Sequence, residues 1–369
     1  MTFRILRAEG TDARLWEAVL GRLPAHLRDL HYAPQYGRIY RDVYGHEPLL
    51  ALYEHGAQLV VHAFVRRSLG ALPFLAETGN REDYTDIATP YGFGGALVAQ
   101  PAAADARNAL VAFDRHFRSW CADQRIASEF VCLHPLLGNH ELIARSGIAT
   151  PNAEKAVVVI DLRVDEAALW SAVSRGARSS ILHARRSDVS IAEVALDEPA
   201  LARFHELYLD TMRRRNAHPR WHFPDSYFSA CAKHLGTQGS ALLVAFCEGE
   251  WASAYFLIND TRTAYYHFGA SAGRWLDRRP NNLLMYESIL WAKRRGMERY
   301  HLGGGVTSAE NDSLLRFKSS FGGSKTALYT YGRVLAEEPY RQLCTLKRAY
   351  EERTASSIAN PEYFPLYRR

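Results

Sequence analysis

The segment His301-Leu302-Gly303-Gly304-Gly305-Val306 runs a strand into three glycines, and Asp312 to Gly323 follows it with a short helix and a glycine pair. The chemistry available there is the amine of Lys318, beside the ring of Phe317 and the guanidinium of Arg316. Phe317 and Phe321 stand at i and i+4 and share a buried face, so spacing alone sends Lys318 elsewhere, toward the surface. A second segment, Asp86-Ile87-Ala88-Thr89-Pro90-Tyr91-Gly92-Phe93-Gly94-Gly95, combines glycines that permit close backbone approach with the stacking faces of Tyr91 and Phe93. It reads either as a ligand loop or as an aromatic cap on a sheet. No strand–GxGxxG–helix pattern accompanies it, which argues against a dinucleotide fold.

A third segment, Arg274 to Asn282, leads into a helix expected from about Leu283, with Asn282 as an N-cap whose neighbouring free amides bind anions. There is no glycine between Gly273 and Gly296, and Pro280 removes a donor, so a pyrophosphate cradle of backbone amides is not expected. The arginines there either hold a phosphate by side chain or form a solvated helix start. Tyr255, Tyr265, Tyr266 and His267 form an aromatic and basic cluster. Strand alternation sends Tyr265 and His267 to one face and Tyr266 and Phe268 to the other.

Other chemistries find little support. Five scattered cysteines without a Cys-x-x-Cys pair speak against a disulfide scaffold or structural zinc, and no Gly-x-Ser-x-Gly elbow is present. Fifteen histidines invite a metal reading, yet no histidine–carboxylate set shows ligand spacing, so no metal and no resident cofactor are expected. Asp86, Asp312 and Glu287 are the carboxylates to consider as a general base. A direct transfer by an oriented nucleophile fits better than covalent catalysis.

These segments need a scaffold. The 369 residues exceed one simple core, and 47% apolar with 23% charged residues is a globular balance that excludes wholesale disorder. The net charge of +5 permits a phosphate-bearing partner without requiring one. No apolar run approaches bilayer length and no secretory signal is visible, so a cytoplasmic location is expected. Periodicity predicts a helix over 13–23, strands over 48–53 and 58–65, a long amphipathic helix over 103–124 and a strand over 128–133. The second half predicts a strand over 155–162, a basic helix pair over 166–188 broken near Gly176, and a helix over 201–214. Strands over 240–248, 250–259 and 264–269 follow, then a helix over 282–295, strands over 299–302 and 326–331, and a closing helix over 338–353.

That order in the second half is the order of a GNAT acyltransferase core, and the first half carries a weaker version. The fold class is α+β, a mixed α/β arrangement. Two GNAT-like domains are expected, each a mostly antiparallel central sheet flanked by helices. The boundaries expected are 1–153 for the first, with a C-terminal helix in 335–369 packing back on it, and 154–334 for the second.

The chain resembles the Fem-type (FemABX) aminoacyl transferases and the related BioF2-like acetyltransferase domains over about residues 30–369. The resemblance rests on Thr89-Pro90-Tyr91-Gly92-Phe93-Gly94-Gly95, Glu129-Phe130-Val131 with His134-Pro135-Leu136-Leu137, and Tyr266-His267-Phe268-Gly269-Ala270. Further pieces are Pro280-Asn281-Asn282-Leu283-Leu284, Leu302-Gly303-Gly304-Gly305, Phe317-Lys318-Ser319-Ser320-Phe321-Gly322 and Phe364-Pro365-Leu366-Tyr367-Arg368. The charged helical arm of the long members is missing.

The resemblance implies an N-aminoacyltransferase that moves an amino acid from aminoacyl-tRNA to an amine, forming an amide. The acceptor would be a peptidoglycan precursor or an amine of a polysaccharide or natural product. Phe317 and Lys318 match a Phe-Lys pair that supports the tRNA end, with Lys318 as a cation facing developing negative charge. The resemblance also implies a cleft between the two domains, which Tyr91, Phe93, Tyr266 and His267 would line, with Tyr255, Asn282 and Arg316 as further substrate contacts. Arg175, Arg178, Arg185 and Arg186 would hold tRNA phosphates, or else form a solvated helix face. Charged tRNA and a small-molecule or peptide amine are the partners implied, with peripheral contact to a lipid-linked acceptor allowed and no DNA. Two alternatives stay open: an acyl-CoA-dependent N-acyltransferase, and a non-catalytic double-GNAT protein that binds glycan or peptide.

Overall fold

A computed structural model describes residues 1–78, 84–99, 103–354 and 363–369. Two compact units divide the chain: Met1–Glu154 with Leu328–Arg369, and Lys155–Ala327. Each is an α+β unit built on a mostly antiparallel sheet.

The first unit opens with β1 (Thr2–Arg7), α1 (Gly10–Arg22) and α2 (Pro34–Tyr44). Proline sits in the first turn of α2 and Gly45 ends it in the left-handed region, the usual asymmetry of helix ends. The hairpin β2 (Glu47–His55) and β3 (Gln58–Ser68) follows, then α3 (Pro73–Thr78), β4 (Thr85–Ala88), β5 (Leu97–Ala99), α4 (Ala103–Asp123), β6 (Ile126–Cys132) and α5 (Asn139–Ser146). Leu110, Phe113 and Phe117 form the apolar stripe of α4, and all three are buried against the sheet.

The second unit contains β7 (Asn152–Asp161), whose last seven residues belong to it, then α6 (Glu166–Ala172), α7 (Arg175–Arg186), β8 (Ser190–Val194), α8 (Glu198–Arg214) and α9 (Asp225–Gly239). It continues through β9 (Ser240–Cys247), β10 (Glu250–Asn259), β11 (Thr263–Ser271), α10 (Pro280–Arg294), β12 (Arg299–Gly304) and α11 (Ser313–Ser319). The chain closes with β13 (Ser324–Val334) and α12 (Glu337–Thr354). Residues Thr330–Val334 of β13 pair antiparallel with β6, and α12 packs on α3 and β6.

In the second unit the strands run β7-β12-β11-β10-β9-β8, antiparallel throughout except for the parallel pair β11/β12. One face carries α7 and α10 over an aliphatic core, including Ile181, Leu284 and Ile289. The other carries α8 and α9 over an aromatic cluster of Phe204, Tyr208, Phe228, Phe256 and Phe268.

Three local expectations are corrected. The helix break falls at Val173-Ser174 rather than Gly176, because the Ser174 hydroxyl accepts from the Ala177 amide and starts α7 there. Asn282 caps nothing: α10 starts at Pro280 behind Arg279, which takes a left-handed φ of 59°. The alternation in β11 is interrupted opposite Phe256 and Leu257, which pair with Phe268 and Tyr266 and leave His267 as the extra residue of a bulge. His267 and Phe268 consequently both meet Tyr227, and Tyr266 is freed to lie elsewhere.

Candidate active site at the open end of β11 and β12

The parallel pair β11/β12 is in register only over Thr263–Tyr265 against Arg299–His301; beyond that the two strands no longer pair. Leu302 bulges out of the β12/β7 ladder, and Gly303 follows with φ of +74°. The opening so created is occupied by Lys318, carried on α11.

Lys318 is 4% exposed, so it is not the surface lysine that its spacing to Phe317 implies. Its Nζ donates to the Gly304 carbonyl at 2.8 Å and stands 4.9 Å from the centre of the Tyr266 ring. A side chain at Gly303 would put its first carbon 3.2 Å from this nitrogen. Burial, with the nearby Lys155 ammonium adding to it and Asp312 opposing it, brings the Lys318 amine down to about 7.

Tyr266 reaches over the amine because Gly269 leaves room: its hydroxyl occupies the place a Cβ on Gly269 would take. Tyr255 stands behind it, rings 4.7 Å apart and edge-on, fully buried with its hydroxyl donating to the Asn281 carbonyl. Phe317 packs half-buried against the core, with its ring 5.2 Å from Phe321, as the i, i+4 spacing requires.

Asp312 is the clamp of the glycine segment. One carboxylate oxygen accepts from the amides of Leu314 and Leu315, capping α11; the other accepts from the amides of Val306 and Thr307 and from the Thr307 hydroxyl. Burial would raise its pKa, but these hydrogen bonds outweigh it and hold the carboxyl below its ordinary value. In this arrangement it acts as a structural acceptor for both ends of the turn.

The other two candidate bases are also engaged. Asp86, in the first unit, is fully buried between Arg67 and Arg368 and accepts from the Tyr367 hydroxyl. Glu287 accepts from Arg185 at 3.0 Å on the flank of α10.

The remaining residues singled out from sequence are dispersed. His267 bonds Tyr227 at 2.9 Å on the α9 side, away from the Tyr266 ring that covers Lys318. Arg316 is exposed on α11, and Asn282 is half-buried in the first turn of α10. Arg274 pairs with Glu250, and Arg278 reaches Glu248 at 3.4 Å. On α7, Arg178 donates to the carbonyls of Trp170 and Ser171 at the end of α6, and Arg185 pairs with Glu287; Arg175 and Arg186 are exposed.

In the first unit, the equivalent parallel pair β4/β6 is closed rather than open. The Thr89 amide donates to Phe130, the Gly94 amide to Cys132, and the His134 amide back to Gly94. Tyr91 is exposed, its carbonyl held by the hydroxyls of Tyr36 and Tyr40, and Phe93 packs between His31 and His134.

Beneath that loop the fold groups Asp29, His31 and His134, which overturns the expectation that no histidine–carboxylate set has ligand spacing. The bonding pattern is that of a hydrogen-bonded relay. The Leu136 amide donates to His134 Nδ1, so the ring proton sits on Nε2, 3.1 Å from Asp29. His31 Nδ1 lies 2.7 Å from the other carboxylate oxygen. Burial raises the Asp29 carboxyl, and the two histidines more than reverse it.

With this geometry in place, residues 172–319 match the family model for an acetyltransferase (GNAT) domain. That stretch is similar to a GNAT acetyltransferase domain. No curated protein matches the sequence. Among solved structures, the fold is similar to that of FemX at 14% identity, with a TM-score of 0.69 over 93% of this chain and 99% of that one. It is also similar to L-PGS from Bacillus licheniformis at 10% identity, TM-score 0.51, over 91% and 97% of the two chains. A tandem GNAT protein from the clavulanic acid biosynthesis pathway matches at 10% identity, TM-score 0.51, over 91% and 99%. The matched stretch spans the opening, Tyr266, the glycine segment and Lys318. It begins after Lys155, which neither motif nor spacing marks; Asp312, by contrast, is legible as the cap of an apolar run.

Proposed function

We propose that the protein is an N-aminoacyltransferase, moving an amino acid from aminoacyl-tRNA to an acceptor amine. The observation that carries this is the buried Lys318 at the open end of β11 and β12. The acceptor nitrogen forms the new C–N bond with its lone pair, and the ester C–O bond breaks with its electrons on the departing ribose oxygen. The nitrogen sheds one proton and the departing oxygen gains one. An amine brought to about 7 is present near neutrality both free and protonated, so Lys318 suits both transfers, taking the proton and returning it. This is more than the fixed cation implied by the family resemblance. Its N–H groups not held by the Gly304 carbonyl can donate to the oxygen on which charge develops.

The start of α10 favours this donor over acyl-CoA. Pro280 occupies the first turn, Arg279 holds the N-cap in a left-handed conformation, and the neighbouring arginines Arg274 and Arg278 are taken by Glu250 and Glu248. Labelled, charged tRNA is titrated against the protein across a salt series with coenzyme A as competitor. Binding that weakens steeply with salt and resists coenzyme A supports the reading. Displacement by coenzyme A, or no RNA binding at all, sinks it in favour of an acyl-CoA donor.

A further inference from the structure

Lys155 stands beside Lys318 in the same unit. It lies on β7, whose Val157 and Val158 pair with Gly304 and Gly303 of β12. Its Nζ donates to the Gly305 carbonyl at 3.2 Å, while Lys318 donates to the adjoining Gly304 carbonyl at 2.8 Å. Two ammonium groups thus sit on two consecutive carbonyls of one glycine segment. The stem of Lys155 lies along that segment too: a Cβ on Gly304 would approach its Cδ and Cε at 3.3 and 3.4 Å. Lys155 is half-buried and Lys318 fully so, and burial works against the charged form of the inner lysine.

We infer that Lys155 is a positioning residue for Lys318: its ammonium, fixed on the Gly305 carbonyl, sets a like charge beside Lys318 and keeps the inner lysine available as a free amine. The inference rests on Lys318 being the working group of the proposed transfer. The groups facing Lys318 are Lys155 from β7, Tyr266 from β11 and Asp312 from the turn before α11. Only Lys155 among them favours the neutral amine by charge; Asp312 works against it, and the Tyr266 ring face favours the cation. A buried lysine next to a second cation is a known way of activating an amine without changing its covalent structure.

The test is a side-chain NMR titration of the full chain carrying isotope-labelled lysine, with the Lys318 signal assigned by its loss in Lys318→Met. In the unaltered protein Lys318 is expected to titrate near 7. In Lys155→Met the midpoint is expected to rise by about one pH unit, and in Lys155→Arg to stay put. Lys155→Gln retains a donor for the Gly305 carbonyl without the charge, and should behave like the methionine variant. An unmoved midpoint in Lys155→Gln or in Lys155→Met, with the rest of the spectrum preserved, overturns the inference. The titration needs no substrate. Failure to find any transfer would count against the proposed function while leaving the lysine pair standing, and an unmoved midpoint would do the reverse.

Discussion

The ammonium of Lys318 rests 4.9 Å above the ring centre of Tyr266, in an opening where two parallel strands have stopped pairing. Removing the amine while filling its volume separates its chemical role from its structural one. Lys318→Met is expected to abolish transfer, by a factor of 100 or more on the order typical of a lost proton-transfer group. Single-turnover assays with charged tRNA check this. Transfer surviving within a few-fold would leave Lys318 a packing residue.

The same substitution is expected to stabilise the protein at low pH. The folded-state pKa of Lys318 lies well below the unfolded value, so between about 7 and 10.5 the unfolded chain holds the extra proton. Stability therefore rises as pH climbs through that window, and below it the burial of charge costs a few kcal/mol. Lys318→Met removes this cost. Urea denaturation at pH 6 should show the variant more stable than the parent, and the advantage should vanish above pH 10.5.

Gly305 tolerates no side chain. A Cβ there would fall 2.4 Å from an Asp312 carboxylate oxygen, so Gly305→Ala must push the clamp off Val306, Thr307 or the start of α11. The expected cost is about 1–3 kcal/mol with loss of transfer. Asp312→Asn, which keeps most of the acceptor geometry on one oxygen, should lose less. Thermal melts of both variants give the comparison.

The four arginines of α7 are expected to divide. Arg175→Glu and Arg186→Glu should weaken charged tRNA binding and lower the salt slope by about one each. Arg178→Ala should instead cost stability, about 1 kcal/mol, because it releases two carbonyls at the end of α6. Filter binding over a salt series, read beside denaturation midpoints, distinguishes them. Uniform loss of binding in all four would mean that Arg178 and Arg185 exchange their present partners for phosphate.

In the first unit, Asp86→Asn is expected to cost roughly 3–5 kcal/mol, since Arg67 and Arg368 would be left buried around a neutral amide. Burial pulls the Asp86 carboxyl up and the two arginines outweigh it, so its folded pKa lies below the ordinary carboxylate value. Its contribution is present above the unfolded pKa and fades as pH falls through the folded one. Acid titration of the parent and the variant should therefore converge at low pH.

Much of the scaffold could be read from residue order alone, because local rules governed it. The stripe of Leu110, Phe113 and Phe117 specified α4, and the turn after Glu54 specified the β2/β3 hairpin. What escaped was decided by tertiary contact. Alternation was the right rule for β11 until one bulged residue turned His267 to the side of Phe268, and no local signal marks a bulge. Asn282 has the right side chain for a cap, but a proline two residues earlier starts the helix sooner. Lys318 is buried because Gly303 and Gly304 leave space from another strand, and Asp29 meets His134 across more than a hundred residues. Neither is visible to a rule that compares near neighbours.

The closed β4/β6 pair has a consequence for counting. Thr89, Gly94 and His134 stitch shut in the first unit the gap that stands open in the second, and Phe93 is wedged between two histidines against the seam. Among the described residues of these two parallel pairs, only the one in the second unit therefore stands open. If the proposed transfer uses that opening, donor should bind with a stoichiometry of one per polypeptide.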